Sequence, residues 1–330
     1  MANRIGVLLV NLGTPDSPTY WAVQRYLREF LSDRRVIDTS RLIWLPLLYG
    51  VVLPFRPLRT ARKYRKIWLH DGSPLAVHSA RLTAKIRSLL VAKHQDRIRV
   101  ELAMTYGKPG IAKAAQSFAA QGVDRLVVLP LFPQYCSSTT GSVLDATNRA
   151  LKRWRRLPGI RVINDYHDDG GYIQALSGKI RAHWNAAGAR SHLLFSYHGI
   201  PASYVAKGDP YQRQTEATTR LVVQSLALNE TEWSHCYQSR FGRVTWLQPY
   251  TLDKIKELAD RGIRELTVAS PSFAVDCLET LEEVAIEYKE QFLRWGGQRL
   301  SLVPGLNDDA EHAEALAALI ENRLQEWDQS

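Results

Sequence analysis

Residues Asp276 to Glu287 read DCLETLEEVAIE and carry carboxylates at Glu279, Glu283 and Glu287, each four positions from the next. Carboxylates so grouped can accept protons or offer a divalent metal weak, hard ligands. A second candidate is His198, which ends the apolar run SHLLFSYH just before Gly199 and Pro201. Imidazole titrates near neutrality and ligates metals, so its place at a strand exit suits a proton acceptor or a metal contact. The acid stretch also reads as an ordinary α-helix: Asp276 with Glu279 three residues on makes a capping-box-like pair. Leu278, Leu281, Ala285 and Tyr288 would form its apolar stripe, with the three glutamates on the opposite side. Periodicity leaves open whether that face meets bulk water or lines a wet site.

The elements around these residues favour a site. Short apolar runs (RIGVLLVNL, RVELAMTY, DRLVVLPLF, SHLLFSYH, ELTVASPSF) alternate with longer helical patterns, the signature of parallel strands joined by crossover helices. The halves of the chain also resemble one another. PGIAKAAQSFAAQGVDRLVV from Pro109 matches PYTLDKIKELADRGIRELTV from Pro249, and LVNLGTPDS matches LFSYHGIPAS, aligning Gly13 with Gly199 and Leu12 with His198. This predicts an α/β fold of two similar Rossmann-like lobes, each a parallel sheet flanked by helices, cut at about 1–160 and 161–330. Ligands of such sheets sit beyond the carboxyl ends of the strands, where both His198 and the acid stretch are expected.

Composition narrows the function. The chain has 330 residues with 43 Lys+Arg against 33 Asp+Glu, a formal charge of +10, which favours an anionic partner without selecting one. It has no GxGxxG after its first strand and no GxxxxGK[ST], which disfavours nucleotide chemistry. CSSTTGS from Cys136 is a hydroxyl-rich turn that either caps a helix or offers hydroxyl and N–H groups to an anion. Cys136, Cys236 and Cys277 show no CxxC spacing, and the start MANRIGVLLVNLG is too short for a signal peptide and reads as a buried strand, so a reducing cytoplasm is expected. Leu42 to Phe55 is uncharged but interrupted by Pro46, Gly50 and Pro54, and is shorter than the roughly 20 residues that span a bilayer. The basic run Arg56 to Lys66 adjoins it, a pairing that suits an interfacial contact or an amphipathic anionic ligand.

In order along the chain, LLVNLGTPDSP, GSPL, FPQYCSSTTGS, SYHGIP, KGDPY, YQSRFG and DCLETLEE together resemble the ferrochelatase family, which inserts ferrous iron into a porphyrin. The resemblance covers nearly the whole chain. It implies two Rossmann-like lobes with a porphyrin cleft, and a final helix packing back on the body. The activity implied is insertion of Fe2+ into protoporphyrin IX with release of two protons. A non-catalytic porphyrin or metal carrier, or a chelatase for another tetrapyrrole such as coproporphyrin III, are the alternatives. By resemblance His198 takes pyrrole protons or holds the metal, Glu279 is its acidic partner, and Glu283 and Glu287 extend a relay. Leu12, Tyr135, Ser137, Ser138 and Thr139 would face the porphyrin. Residues 41–66 would form a lip that covers the macrocycle and touches a membrane, with Arg56 on a propionate. The implied partners are porphyrin and ferrous iron as substrates, with a peripheral contact at the inner membrane face, no nucleic acid and a monomeric state. Three cysteines cannot supply the four ligands of the [2Fe–2S] cluster that some members carry, so no such cluster and no permanently bound cofactor are expected. Cys277 stands where some relatives have histidine, and Thr105 where many have arginine.

Overall fold

The computed structural model describes residues 4–242 and 244–328. Eight strands form in chain order: β1 (Ile5–Thr14), β2 (Ile98–Gly107), β3 (Arg125–Pro130), β4 (Gly159–Val162), β5 (His192–His198), β6 (Trp233–Gln238), β7 (Glu265–Ala269) and β8 (Arg299–Leu302). They make two parallel sheets of the same order, β2-β1-β3-β4 and β6-β5-β7-β8. Helices cover both faces, which is why the strand runs are apolar almost throughout: Leu8, Val10, Leu126 and Val128 are buried in one core, Leu194, Leu266, Val268 and Leu300 in the other.

The pairing register bears out the repeat in detail. Leu8 pairs with Val128 as Leu194 pairs with Val268, and Arg125 pairs with Gly159 as Glu265 pairs with Arg299. Carrying the first pair four residues on makes Leu12 the counterpart of His198. The repeat prolines play the same part too: Met104 N–H donates to the Pro109 carbonyl at 2.7 Å and Tyr237 N–H to the Pro249 carbonyl at 2.8 Å. Gly13, after Leu12, has φ +113, and a Cβ there would lie 1.8 Å from the Tyr106 carbonyl oxygen, so only glycine fits this turn.

The compact units differ from a single cut near residue 160. One comprises residues 1–132, 136–165 and 308–330, the other 133–135 and 166–307. The helix Gly170–Ala187 follows β4 but belongs to the second unit, and Ala310–Asp328 follows β8 but belongs to the first. The final helices of the two repeats are therefore exchanged. Ala310–Asp328 packs on the helix Pro74–His94 and on β3, where a His94–Glu321 contact of 2.9 Å joins the two helices.

The first unit also carries an insertion. Residues 15–97 link β1 to β2, whereas residues 199–232 link β5 to β6. Within it, Arg41–Leu47, a π turn Leu48–Val52 and Leu53–Ile67 make one helical run, long and apolar enough by length and composition to cross a membrane. The prolines and Gly50 thus do not break the segment as the sequence suggested. The π turn at Gly50 changes the hydrogen-bond register where an α-helix would have been interrupted. One face is anchored: Trp44 is buried and its Nε1–H donates to the Leu31 carbonyl at 2.7 Å. The other exposes Leu42 (88%), Ile43 (66%), Tyr49 (54%), Val51 (51%) and Phe55 (71%).

Candidate active site

In the second unit β5 ends on half-buried His198. Its main-chain N–H donates to Ser272 Oγ at 3.1 Å, which pins the strand end to the loop after β7. Its ring Nδ1 lies 2.7 Å from the Gly199 carbonyl oxygen. A carbonyl only accepts, so a neutral ring holds its proton on Nδ1 and its lone pair on Nε2. A neutral imidazole so oriented is ready to take a proton or a metal at Nε2. The Phe273 ring meets it edge-on at 6.2 Å between centroids.

The acid stretch is not the expected capped α-helix. Residues Glu279–Tyr288 form a π-helix, continued by the α-helix Lys289–Arg294. Bonding from i to i+5 widens the turn beyond four residues, so positions four apart stack almost in line. Thr280, Val284 and Tyr288 are the buried row, and Glu279, Glu283 and Glu287, all half-buried, form the row beside it. Leu278, Leu281 and Ala285 are only partly buried, so the stripe predicted on an α-helical period is displaced. No capping box forms either. Asp276 is buried and accepts from Thr280 Oγ1 (2.9 Å), Asn307 Nδ2 (2.7 Å) and the Gly305 N–H (3.1 Å).

Glu283 is the most constrained of the acids. It accepts from the Ser239 N–H (3.0 Å), Ser239 Oγ (2.6 Å) and the Tyr288 hydroxyl. Burial raises its carboxyl above the usual glutamate range, the Ser239 and Tyr288 bonds and, when protonated, the His198 ring draw it back, and Glu279 pushes it up. Protonation of His198 and ionisation of Glu279 would both be felt at Glu283, so these three form one electrostatic group. Cys277 next to Glu279 is fully enclosed; burial, and then the Glu279 carboxylate, raise its thiol well above the ordinary cysteine value. It stays a neutral thiol and makes a poor metal ligand.

Other candidates lie apart from this group in the chain. Tyr135 belongs to the second unit, and its N–H donates to Gln214 Oε1 at 2.6 Å. Leu12, Arg56, Ser137, Ser138 and Thr139 belong to the first unit, all of them half-buried. The hydroxyl turn is a short π-helix, Ser137–Gly141, at the position after β3 that Glu279–Tyr288 occupies after β7. Arg35, which nothing in the sequence singled out, clamps it. The guanidinium holds Asp145 bidentately (2.6 and 3.1 Å) and donates to Ser137 Oγ at 3.1 Å. The charged bond from Arg35 holds the Asp145 carboxyl below the usual carboxylate range. Ser272, Gln238, Ser239 and Tyr288 were likewise not anticipated. Of these only Gln238 and Ser239 carried a signal, inside YQSRFG.

Comparison with known proteins agrees with this architecture. The ferrochelatase family model matches residues 4–324. The chain is 45% identical over 322 residues to a ferrochelatase of Marinomonas sp. (strain MWYL1), covering 98% of each chain. It is also 45% identical to one of Vibrio parahaemolyticus serotype O3:K6, covering 98% of this chain and 99% of the relative. Among solved structures, SirB from Bacillus subtilis with Fe3+ aligns at a TM-score of 0.58 and 11% identity over 96% of this chain and 94% of that one. CbiX, the terminal enzyme of sirohaem biosynthesis in denitrifying bacteria, aligns at 0.51 and 16% over 96% and 98%. At these identities the last two speak for the fold alone. The chain belongs to the ferrochelatase family and is a metal chelatase, a lyase.

Proposed function

We propose that this ferrochelatase inserts Fe2+ into protoporphyrin IX, releasing two protons per protohaem formed, with His198 and Glu279 at the reacting centre. One observation carries the reading. The bond from His198 Nδ1 to the Gly199 carbonyl leaves Nε2 as a lone-pair donor in the same electrostatic group as Glu279 and Glu283. Two pyrrole N–H protons must leave as iron enters, and a neutral imidazole beside carboxylates supplies acceptors for both. The same groups bind iron weakly enough to give it up, which a set of thiolates would not. Glu283, with its raised carboxyl, and Glu287 extend the row along which protons leave.

The first unit supplies binding in this reading. Exposed Leu42, Ile43, Tyr49, Val51 and Phe55 offer apolar cover for a macrocycle and a peripheral contact with the inner membrane face, from a cytoplasmic monomer. Arg56 and the hydroxyls of Ser137, Ser138 and Thr139 meet the propionates, with Leu12 and Tyr135 against the ring. Anaerobic assay of Fe2+ with protoporphyrin IX, run beside coproporphyrin III, tests the activity and the choice of ring. His198→Ala should lose about 10²–10⁴-fold in kcat, the usual contribution of a positioned acid–base group. Unchanged turnover in that variant defeats its role. Sedimentation with anionic vesicles, expected for the wild type and lost on Phe55→Asp with Ile43→Asp, tests the membrane contact.

A further inference from the structure

We propose that Gln238 is a positioning residue that sets the place of Glu279 relative to His198, an inference that rests on reading those two as the reacting pair. Gln238 ends β6 directly opposite His198 in the β5–β6 register and is 2% exposed. Its main-chain carbonyl and both ends of its amide are bonded. Its main-chain carbonyl accepts from the Gly199 N–H at 2.9 Å, and Gly199 is the residue whose own carbonyl orients the His198 ring. Its Nε2 donates to the Glu279 main-chain carbonyl at 3.0 Å, with Glu283 Oε2 at 3.5 Å on the same side. Its Oε1 accepts from Ser196 Oγ at 2.7 Å.

The direction of every bond follows from one acceptor. The Glu279 carbonyl cannot donate, so the amide nitrogen must face it and Oε1 must face Ser196. The Ser196 hydroxyl therefore spends its proton on Gln238, and Thr251 Oγ1, 2.9 Å from Ser196 Oγ, donates to Cys236 Sγ at 3.2 Å. A one-way chain, Ser196 to Gln238 to Glu279, runs through the buried floor beneath the π-helix. It holds the first turn of that helix on the strand pair carrying His198. A β-carbon on Gly199 would stand 2.8 Å from the Gln238 carbonyl oxygen, so the approach on the histidine side is just as close. The first repeat, which lacks the acids, also lacks the device: Thr105 stands at the position of Gln238 and Val10 at that of Ser196.

The test is steady-state protohaem formation by wild type, Gln238→Met, Ser196→Ala, Glu279→Gln and Gln238→Met with Glu279→Gln. Methionine keeps the volume and removes both polar ends. Gln238→Met should lower kcat about 10- to 100-fold while KM for porphyrin stays within about twofold, as misplacement by an ångström does. Ser196→Ala should lower kcat about 3- to 10-fold, and it carries the test if Gln238→Met does not fold. In the Glu279→Gln background, Gln238→Met should add less than about a twofold further loss, because it acts through that residue, whereas a merely structural effect would multiply in full. Wild-type kcat in Gln238→Met, or in Ser196→Ala if that variant alone folds, beside an inactive Glu279→Gln overturns the inference alone. Full multiplication of the two losses does the same. Wild-type kcat in Glu279→Gln overturns the site reading, and the inference with it.

Discussion

The two repeats share strand order, pairing register and a π-helix after the third strand, yet at matching positions the second carries a histidine and a row of glutamates that the first lacks. Where the second has His198, the first has Leu12. Where the second has Glu279, Glu283 and Glu287, the first has Thr139, Val143 and Thr147, and Val143 is fully buried. Matching positions thus present proton acceptors in one copy and hydroxyl or apolar groups in the other, on a helix that is π through Tyr288 in the second repeat but α from Ser142 in the first. In the proposed reading the scaffold supplies a rim, and the side chains decide whether that rim reacts or binds. The insertion of residues 41–67 in the first unit fits the same division, since it adds apolar surface and cationic charge rather than proton acceptors.

Substitutions at paired positions can break this division. The largest contrast is expected between Glu279→Gln and Thr139→Val. The first should cost kcat about 100-fold or more, and the second should change KM for porphyrin a few-fold with kcat within about twofold. Equal losses of kcat in both would dissolve the distinction. A smaller effect is expected at the clamp of the first unit. Arg35→Ala should raise KM for porphyrin several-fold and cost about 1 kcal/mol of stability, since the Arg35–Asp145 pair is partly exposed. A fall in kcat with KM unchanged would place Arg35 in the chemistry instead.

The smallest effect expected is on the pH dependence of stability. The Glu283 carboxyl is raised in the folded state, so between its unfolded and folded values the native protein binds more protons. Stability therefore falls as pH rises through that window and levels off above it. Glu283→Gln has no such titration, so the Tm of the wild type relative to the variant should decline from about pH 4 upwards. Thermal unfolding across pH checks this, and a difference that rises with pH would mean that the carboxyl is depressed rather than raised. Val143→Gln, at the same place in the other repeat, should instead destabilise by an amount independent of pH.

Much of this comparison was legible in the sequence. The spacing of Pro109 and Pro249 and of Gly13 and Gly199 located the repeat, and the register confirmed that Leu12 answers to His198. The acid row was legible as a row but not as a π-helix, because glutamates four apart stand on one side of either helix and the bonding that separates them leaves no mark in residue type. The exchange of final helices was missed although DDGGYIQAL and DDAEHAEAL carry it. Local similarity tells that two segments are alike, not which core each one covers. Residues that act by holding others, such as Ser272 and Arg35, were silent because their partners lie far away along the chain.

The division of labour stands or falls on His198 and Leu12. Initial rates of protohaem formation should be measured over a range of porphyrin concentrations for His198→Ala and Leu12→Ala. His198→Ala should lose about 10²–10⁴-fold in kcat, whereas Leu12→Ala should keep kcat within about twofold and raise KM. Retained kcat in His198→Ala, or its collapse in Leu12→Ala, would overturn that division.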